Sequence, residues 1–367
     1  MISNKVTHLI TTIERGGAEK QLLTLASEQI QSGLNVVVLY LKGKPDLRNE
    51  FEEAGVEVNN LLVGKSFLKQ IFLLYKQLRK NPSPIHAHLP KSELLAAIVV
   101  RNKYFIFSRH NSEPFWPGGP RVISNLLSKF VCKRASQGIA ISNAVKNYLN
   151  KRGEVPSGYT IDVVYYGFQK DTSTNVAGLG LITNIMTGQS SNYKIGTIGR
   201  LVSQKDYPTL LSAFSNVLKS MPKIDLYVVG EGHLEKDLIE LSKSLGIKDM
   251  VHWIGKTEYI KEFLSKIDLF VLPSKYEGFG LVLLEAMIAN KPIIAADNSA
   301  IPEVLGETYE GLFSTGDANA LAQQIEIAIS NDNFSKRLVN SYSSQLNFFD
   351  PSEMNRNIKN IYSNAGF

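Results

Sequence analysis

The chain has 367 residues, which is more than one hydrophobic core usually organises, so two domains are expected. Its 44% hydrophobic and 20% charged residues are ordinary globular values and exclude an extensively disordered protein. The one cysteine, Cys132, excludes an internal disulfide and a thiolate metal site, and we interpret it as a buried structural residue.

Charge is divided unevenly along the chain. The first 170 residues hold 23 Lys and Arg against 12 Asp and Glu, whereas the remainder holds 17 against 22. A positive field of this kind suits nucleic acid, an anionic membrane or a phosphorylated substrate. The sequence shows neither a signal peptide nor a run of about 20 apolar residues. We therefore predict a cytoplasmic protein, either free or peripheral at the inner face of the membrane.

Short β-branched runs alternate with helical patterns, as in a parallel doubly wound sheet. The first series of strands comprises "VTHLIT", "NVVVLYL", "VEVNNLLV", "PIHAH", "YFIFS" and "GIAIS". A second series begins after residue 190 with "YKIGTIG", "IDLYVVG", "MVHWIG", "DLFVLP" and "KPIIAA". The pattern predicts an α/β protein with two Rossmann-like domains, at 1–170 and 190–345, joined by an irregular connection over 169–192. A C-terminal helix within 346–367 is expected to pack back on the first domain.

Ligands of such sheets bind beyond the C-terminal ends of the strands, so the residues that follow strands are the candidates. Gly16 and Gly17 follow the first strand and precede a helix that runs to about Gln31. Paired glycines before a helix N-terminus suit a phosphate, and an ordinary strand-to-helix turn is an equal alternative. NAD binding is disfavoured, because the G-x-G-x-x-G fingerprint is absent here and the second strand ends in lysines.

The second domain carries cations and glycines at the same kind of position. Arg200 ends a strand and Lys205 lies near the next helix start, where two cations could flank a diphosphate. Gly230 and Gly232 form a turn after the next strand that allows close backbone approach. Solvated surface cations and an ordinary turn are the alternatives.

Two glutamates lie in "SKYEGFGLVLLEAM", residues 274–287, which reads as a loop after a buried strand followed by a helix. Glu277 lies in the loop and Glu285 about one turn inside the helix. Glu285 could accept hydrogen bonds from ribose hydroxyls and Glu277 from those of a sugar, while free amides around Gly280 to Val282 hold a phosphate. Taken alone, the pair would more simply be a loop acid and a helix-surface acid.

Together these motifs resemble the retaining glycosyltransferases of family 4, which have the GT-B fold. Glu277 and Glu285 with seven residues between them resemble the E-x7-E motif of that family. The Gly-Gly loop, the "GR" followed by a lysine five residues on, and the "GEG" turn occur in the family's order, and the resemblance covers nearly the whole length. It implies two Rossmann-like domains facing a central cleft, with the acceptor bound by the first domain and the nucleotide-sugar by the second.

The resemblance also implies roles for individual residues. Arg200 and Lys205 would bind the donor diphosphate, Glu285 the ribose and Glu277 the donor sugar. The residues expected to bind the donor are Gly16, Gly17, Gly230, Gly232, Phe279, Gly280, Leu281, Val282 and Glu285. The Gly16–Gly17 loop would close over the donor from the other domain. Arg200, Lys205 and Glu277 are expected to be catalytic.

The first domain adds candidates at the ends of two strands, in "HAH" and "SRHN". Family members often carry a histidine touching the donor sugar or acceptor, and His110 is favoured here as a fourth catalytic residue that positions and polarises. We expect the two histidines of "HAH" to point to opposite faces of their strand, with His88 at the cleft and His86 structural. His88, Arg109 and Asn111 are the acceptor-side candidates. No D-x-D motif occurs, so neither a metal nor another cofactor is expected.

The resemblance further implies transfer with retention of anomeric configuration, by a same-face route in which the leaving diphosphate takes the acceptor proton. A UDP-sugar donor and a glycan or lipid-linked acceptor in bacterial-type cell-surface polysaccharide synthesis are favoured. Residues 65–80 combine apolar side chains with five cations and no acid, as in an interfacial helix, and packing of the apolar side on the sheet is expected as the main role. A GT-B nucleotide-sugar 2-epimerase is the alternative enzyme. A nucleic-acid binder lacks a recognised motif.

Overall fold

The computed structural model of the chain describes residues 4–100, 102–169, 175–186 and 192–366. The chain divides into two compact units. Unit 1 comprises Met1–Gln169 and Phe348–Phe367, and unit 2 comprises Lys170–Asn347. Within the described ranges, no helix is long and apolar enough to cross a membrane.

Unit 1 is a seven-stranded parallel sheet covered by helices. Its strands are β1 (Lys5–Ile10), β2 (Asn35–Tyr40), β3 (Glu57–Asn59), β4 (Ile85–His88), β5 (Asn102–Arg109), β6 (Ala135–Ala140) and β7 (Ile161–Val163). Its helices are α1 (Gly17–Gln31), α2 (Arg48–Glu53), α3 (Phe67–Lys80), α4 (Pro90–Val99), α5 (Arg121–Arg134), α6 (Asn143–Arg152) and, at the chain's end, α15 (Pro351–Asn364). The strand order is β3-β2-β1-β4-β5-β6-β7.

Side chains that alternate between the two faces of the strands form two hydrophobic cores in unit 1, one on each face of the sheet. On β1, Val6 and Ile10 pack into the cluster that includes residues of α1 and α15. Leu9 points the other way, into the cluster with residues of α3, α4 and α5. Residues two apart share a face of a strand, so these strands must be apolar on both sides. The C-terminal helix α15 lies against α1 within this unit.

Unit 2 repeats the architecture with a six-stranded parallel sheet of order β10-β9-β8-β11-β12-β13. Its strands are β8 (Tyr193–Ile198), β9 (Ile224–Val229), β10 (Val251–Gly255), β11 (Leu269–Leu272), β12 (Ile293–Ala296) and β13 (Leu312–Phe313). Its helices are α7 (Val176–Ile185), α8 (Tyr207–Ser220), α9 (Glu235–Ser244), α10 (Ile260–Lys266), α11 (Leu281–Ile288), α12 (Ile301–Leu305), α13 (Ala318–Ser330) and α14 (Asp332–Ser343). The prediction of two Rossmann-like domains is confirmed.

Each sheet has one point at which the strand order reverses, between β1 and β4 in unit 1 and between β8 and β11 in unit 2. The connections on the two sides of such a point diverge and leave a crevice at the C-terminal ends of the strands. The loops after β8 and β11 carry Arg200, Lys205 and Glu277. The fold therefore brings together motifs that are about 75 residues apart in sequence.

The predicted irregular connection over 169–192 is wrong in its described part, because α7 occupies Val176–Ile185. The Asn175 side chain caps this helix by accepting a hydrogen bond from the Gly178 amide (3.0 Å). A β-carbon on Gly178 would come within 2.2 Å of the Tyr259 ring, so this glycine permits close packing and does not interrupt the helix. Residues 170–174 and 187–191 of the predicted connection lie outside the described residues.

Candidate active site

The site in unit 2 centres on an ion pair between two motif residues. Lys205 lies in a single 3₁₀ turn after β8, and Glu277 lies in the loop after β11. Lys205 Nζ is 2.5 Å from Glu277 Oε1, and the two side chains are 14% and 8% exposed. The sequence assigned these residues to different parts of the donor. The structure joins them directly, so a ligand phosphate at Lys205 would also be close to the Glu277 carboxylate.

Two serines hold Glu277, and neither was singled out from the sequence. The Ser274 hydroxyl donates to Glu277 Oε1 (2.7 Å), and the Glu277 amide donates to Ser299 Oγ (2.7 Å). Ser274 is buried and lies two residues after the end of β11. Its position just after a predicted strand was the one feature of the sequence that could have identified it as a site residue. These bonds fix the carboxylate before any ligand binds.

The 3₁₀ turn and the loop after β11 are tied together on their outer side. The Gln204 side-chain amide donates to the Tyr276 carbonyl (2.9 Å), and the Lys275 amide donates to the Gln204 carbonyl (2.8 Å). Lys275 Nζ also lies 3.3 Å from Asp206 Oδ1. These contacts join the turn that carries Lys205 to the loop that carries Glu277.

Arg200 follows β8 and is exposed. Within the described part of the chain, its side chain makes no ion pair or hydrogen bond. Its loop is held in place by the Gly230–Gly232 turn: the Leu201 amide donates to the Glu231 carbonyl (2.9 Å). A β-carbon on Gly230 would come within 2.0 Å of the Gly199 carbonyl oxygen, and one on Gly232 within 2.3 Å of the Leu201 carbonyl oxygen. The close approach predicted for this turn is therefore made to the loop that carries Arg200.

The start of α11 presents the amide groups that the sequence predicted. Gly280 precedes the helix with φ of +89°, a conformation that favours glycine. Phe279 is buried, whereas Leu281, Val282 and Glu285 are half-buried. The first amides of a helix have no intrahelical acceptor and carry the positive end of the helix dipole. An anion at this helix start would meet those amides, with Glu285 one turn further on.

In unit 1, the predicted glycine loop follows β1. Gly16 precedes α1 in an extended conformation, and Gly17 is the first residue of that helix. The Glu19 side chain lies over the loop, where it accepts a hydrogen bond from Thr12 Oγ1 (2.8 Å). A β-carbon on Gly16 would come within 2.3 Å of Glu19 Oε2, so the glycine makes room for this carboxylate.

Four of the six histidines of the chain form a cluster in unit 1, a grouping that the sequence did not suggest. His8 Nε2 donates to Gln29 Oε1 (2.7 Å), which leaves His8 Nδ1 as an acceptor for His88 Nε2 (2.9 Å). His88 Nδ1 then accepts from His110 Nε2 (3.0 Å). His110 Nδ1 accepts in turn from the Tyr166 hydroxyl (2.5 Å). The Gln29 amide thus sets the direction of a continuous hydrogen-bond chain.

The same chain continues on the other side of Gln29. The Gln29 Nε2 group donates to Tyr362 Oη (3.3 Å), and the Tyr362 hydroxyl donates to His86 Nδ1 (2.7 Å). His86 Nε2 donates to Ser108 Oγ (2.7 Å). The C-terminal helix therefore contributes one link to a network whose other members lie on α1, β1, β4 and β5 or follow β5 and β7.

The expectation that His86 and His88 point to opposite faces is wrong. Their ring centroids are 4.2 Å apart and both rings are buried. Side chains alternate along a strand, so residues two apart share one face. His88 is thus buried beside His86 and does not lie at the surface, and its contact with an acceptor stays a prediction.

His110 is the one partly exposed histidine of this cluster, but both of its ring nitrogens are hydrogen-bonded within unit 1. Burial lowers the pKa of His110 to about 3 and that of His8 to about 4, and it holds the pKa values of His86 and His88 well below the ordinary 6.5. All four imidazoles are therefore neutral at pH 7. Because both ring nitrogens are bonded, the polarising role predicted for His110 requires a substrate to replace one of these bonds, and it stays a prediction.

His8, His86 and His88 are also the group that could hold a metal ion, since one ring nitrogen from each lies within 4.8 Å of the others. Imidazole suits Zn²⁺ and other transition metals. In the structure, however, these nitrogens are occupied by the hydrogen bonds described above. A metal ion would have to displace bonds of 2.7–2.9 Å in a fully buried site.

Arg109 is a further correction, because its side chain is 3% exposed and lies in the interior. Its guanidinium pairs with Glu93 (2.6 Å) and Glu154 (3.4 Å) and donates to Ser128 Oγ (3.1 Å). A buried cation requires such partners, which the sequence could not identify across 16 and 45 residues. The half-buried Asn111 donates to Glu113 (3.0 Å) and stays an acceptor-side candidate.

Both units are similar to known proteins. A family model described as "Glycosyltransferase Family 4" matches residues 15–170, and one described as "Glycosyl transferases group 1" matches residues 187–343. Anabaena HepE, solved in complex with UDP and glucose, superposes with a TM-score of 0.84 at 20% identity, covering 98% of this chain and 99% of that one. The chain is a GT-B glycosyltransferase. Its domain architecture matches that of the solved structures of this fold.

Two curated bacterial relatives of this glycosyltransferase have names that state an activity. A Campylobacter jejuni protein is 25% identical over 95% of this chain and 96% of its own length. It is named an α-1,4-N-acetyl-D-galactosaminyltransferase acting on a diNAcBac-PP-undecaprenol-linked glycan. A Bacillus anthracis protein named N-acetyl-α-D-glucosaminyl L-malate synthase is 36% identical over 67% of this chain and 65% of its own length.

Proposed function

We propose that this glycosyltransferase moves a sugar from a UDP-sugar to a lipid-linked glycan, with retention of anomeric configuration, in bacterial cell-surface polysaccharide synthesis. The observation that carries the proposal is the convergence of Arg200, the Lys205–Glu277 pair and the start of α11 at the β8–β11 reversal point. Two cations beside free helix amides suit a diphosphate, and carboxylates beside them suit sugar hydroxyls.

In the proposed donor complex, the Arg200 guanidinium makes paired contacts with the diphosphate and Lys205 acts as a point charge. The first amides of α11 stabilise the same oxygens. Glu285 accepts hydrogen bonds from the ribose. Glu277, already fixed by Ser274, accepts from hydroxyls of the transferred sugar.

The proposed reaction follows a same-face route. Charge develops on the leaving diphosphate as the bond to the anomeric carbon breaks, and Arg200, Lys205 and the helix amides stabilise that charge. The diphosphate oxygen then accepts the proton of the attacking acceptor hydroxyl, and the sugar passes through an oxocarbenium-like state. These groups supply positive charge at the diphosphate from the protein itself, so we propose a metal-independent reaction.

The acceptor class is inferred from the relatives and from the charge of unit 1. The Campylobacter jejuni relative is named for an undecaprenol diphosphate-linked acceptor. The first 170 residues have an excess of 11 positive charges, which suits an acceptor that carries phosphates at an anionic membrane. The 2-epimerase alternative is not supported, because the relatives described above are named as a transferase and a synthase.

A thermal-shift screen with UDP-, GDP- and ADP-sugars tests the donor. A ligand that binds only the folded state raises the melting temperature, so UDP-sugars should raise it and the others should not. Glu285→Gln is the matched variant, because it removes one acceptor of ribose hydrogen bonds without changing side-chain size. A shift that is unchanged in Glu285→Gln would exclude the ribose contact, and a shift with GDP-sugars alone would exclude the UDP assignment.

A further inference from the structure

A cavity of about 20 Å³ lies beside His110 in unit 1. Its apolar lining comes from α1, α15 and the ends of β6 and β7. Its polar lining consists of the side chains of Gln21, His88, Ser108, His110 and Tyr166. A single water molecule needs about 10–15 Å³ and two to four polar partners. The cavity therefore has both the size and the polar groups of a site for one water molecule.

Gln21 gives the first indication that this site takes a ligand. The residue is 5% exposed, and its Oε1 atom makes no hydrogen bond to any of the described residues. A buried amide oxygen without a donor destabilises the folded state, and an ordered water is a common partner of such groups. Because Gln21 lines the cavity, a water molecule there would supply the missing donor.

Ser108 gives the second indication. Its hydroxyl oxygen accepts from His86 Nε2 (2.7 Å), and no residue in the described ranges accepts its hydroxyl proton. A serine hydroxyl can donate one hydrogen bond as well as accept, and Ser108 is only 4% exposed. The cavity thus contains one donor, from Ser108, and one acceptor, from Gln21, that a water molecule would satisfy together.

The direction of the hydrogen-bond chain makes the two arms that leave Gln29 complementary at this cavity. From the Gln29 amide nitrogen, donation runs outward through Tyr362 and His86 and ends at Ser108. Donation to the Gln29 oxygen runs inward from Tyr166 through the other three clustered histidines. The outward arm therefore ends in a donor, and the inward arm begins at an oxygen whose lone pairs can accept. One water molecule between Ser108 and Tyr166 would join the arms.

We propose that the cavity binds one water molecule, which accepts from Ser108 and donates to Tyr166 and Gln21, and that the closed ring of hydrogen bonds holds His110 with Nδ1 as its acceptor nitrogen. Each member of such a ring donates and accepts in the same direction, and each bond polarises the next. Gln29 sets the direction, because its amide group has a fixed donor end and a fixed acceptor end.

Gln21, Gln29 and Ser108 are positioning residues in this proposal, since they act on the reaction through His110. The inference rests on the proposed function for its purpose, which is to prepare His110 for sugar transfer. A sugar hydroxyl that replaces the Tyr166 hydroxyl at His110 would have to donate its proton to Nδ1. The ring would therefore select a hydrogen-bond donor on the sugar at this position.

A high-resolution crystal structure of the full-length protein tests the water directly. We expect one water oxygen in the cavity, within about 2.6–3.2 Å of Gln21 Oε1, Ser108 Oγ and Tyr166 Oη. An empty cavity would overturn the proposal, and so would a water that contacts none of these three atoms.

Gln21→Leu tests whether the water acts on His110. The change removes the amide oxygen, so the water should be lost and the ring ¹⁵N chemical shifts of His110 should move, because the Tyr166 hydroxyl that donates to His110 loses its own donor. Ser108→Ala removes the donor to the water instead and should have the same effect. It keeps the test decisive if Gln21→Leu does not fold.

Gln70→Leu is the matched control. Gln70 is 1% exposed in the same unit, its Oε1 atom likewise makes no hydrogen bond to a described residue, and it does not line the cavity. Its replacement should leave the ring ¹⁵N shifts of His110 unchanged. Shifts that move equally in Gln21→Leu and Gln70→Leu would show a general loosening of unit 1 and overturn the positioning role.

Transfer kinetics supply a readout that a merely structural role would not move. In Gln21→Leu and Ser108→Ala, kcat should fall by about tenfold or more through misplacement of His110. KM for the UDP-sugar should stay unchanged, because unit 2 holds the diphosphate in the proposed function. Wild-type kcat in both variants would overturn the positioning role. UDP-sugar thermal shifts keep the two proposals apart: an occupied cavity without thermal shifts would reject the donor site alone, and an empty cavity with normal shifts would reject the water alone.

Discussion

Replacing Lys205 with methionine should destabilise unit 2, because it leaves the Glu277 carboxylate almost buried without its counter-ion. At 2.5 Å and an effective dielectric constant of about 20, the attraction of the two charges is about 6–7 kcal/mol. Much of this is offset by the hydration that both charges lose on folding, and removal of one partner from a buried pair costs about 3–5 kcal/mol. Ser274 still donates to Glu277, so we expect the lower end, about 3 kcal/mol.

The measurement is urea unfolding of unit 2, followed by Trp253 fluorescence in a Trp116→Phe background, because the two units need not unfold together. Lys205→Met should lower the midpoint at an unchanged slope. The double variant Lys205→Met with Glu277→Gln removes the stranded charge as well. Its free energy of unfolding should be higher than the value predicted by adding the effects of the two single changes, and the difference, the coupling energy, should be about 2–3 kcal/mol.

The exposed pair Arg337–Glu310 in the same unit is the matched control, and Arg337→Met should change the midpoint little. An unchanged midpoint in Lys205→Met, or additive effects in the double variant, would refute the view that Lys205 and Glu277 act as one unit. Lys205→Met should also lower kcat/KM, because the diphosphate loses one of its proposed cations.

The remaining predictions concern the donor site and the histidine cluster. Arg200→Ala should lower kcat/KM by an amount that corresponds to a loss of about 2–4 kcal/mol of transition-state stabilisation. The urea midpoint should change little, because Arg200 is exposed. Wild-type kinetics in this variant would exclude Arg200 from the diphosphate site. Transfer should survive EDTA, and a loss that Mg²⁺ or Mn²⁺ restores would show a metal-dependent reaction. Burial lowers the pKa values of His8 and His110 below 6.5, so the unfolded chain binds protons first as the pH falls. The free energy of unfolding should therefore decrease between about pH 6.5 and 4, by up to about 1.4 kcal/mol per histidine and pH unit, and a flat profile would contradict the burial. The direction of the hydrogen-bond chain predicts that all four clustered histidines carry their proton on Nε2. Ring ¹⁵N chemical shifts that report Nδ1 tautomers would refute this prediction. Ring ¹⁵N chemical shifts of His110 that stay unchanged in Gln29→Leu would refute it as well.

The sequence by itself determined the two Rossmann-like domains. Strand and helix periods are local properties, and short apolar runs alternating with helical patterns admit few arrangements other than a parallel sheet. It also predicted a donor site at Arg200, Lys205, Glu277 and Glu285. In a parallel sheet, the residues that follow strands meet at one edge, whatever their separation along the chain.

Only the tertiary structure decided which of these residues contact each other. Lys205 and Glu277 are 72 residues apart, and their pairing depends on β8 and β11 being neighbours. The histidine cluster joins β1, β4 and the end of β5 to α1, and it is completed by Tyr362 from the C-terminal helix. Such contacts leave no periodic signal, because each requires only one residue at one place.

The orientation of α5 was likewise decided by packing. Val122 and Leu126 lie on its outer side, whereas Val131 and Cys132 pack into the second core and Ser124 and Ser128 are buried beside them. The inner side must also accommodate the buried Arg109, and Ser128 supplies one of its hydrogen bonds. A buried cation needs such partners, so Arg109, 19 residues away in the chain, accounts for a serine on the inner side of this helix.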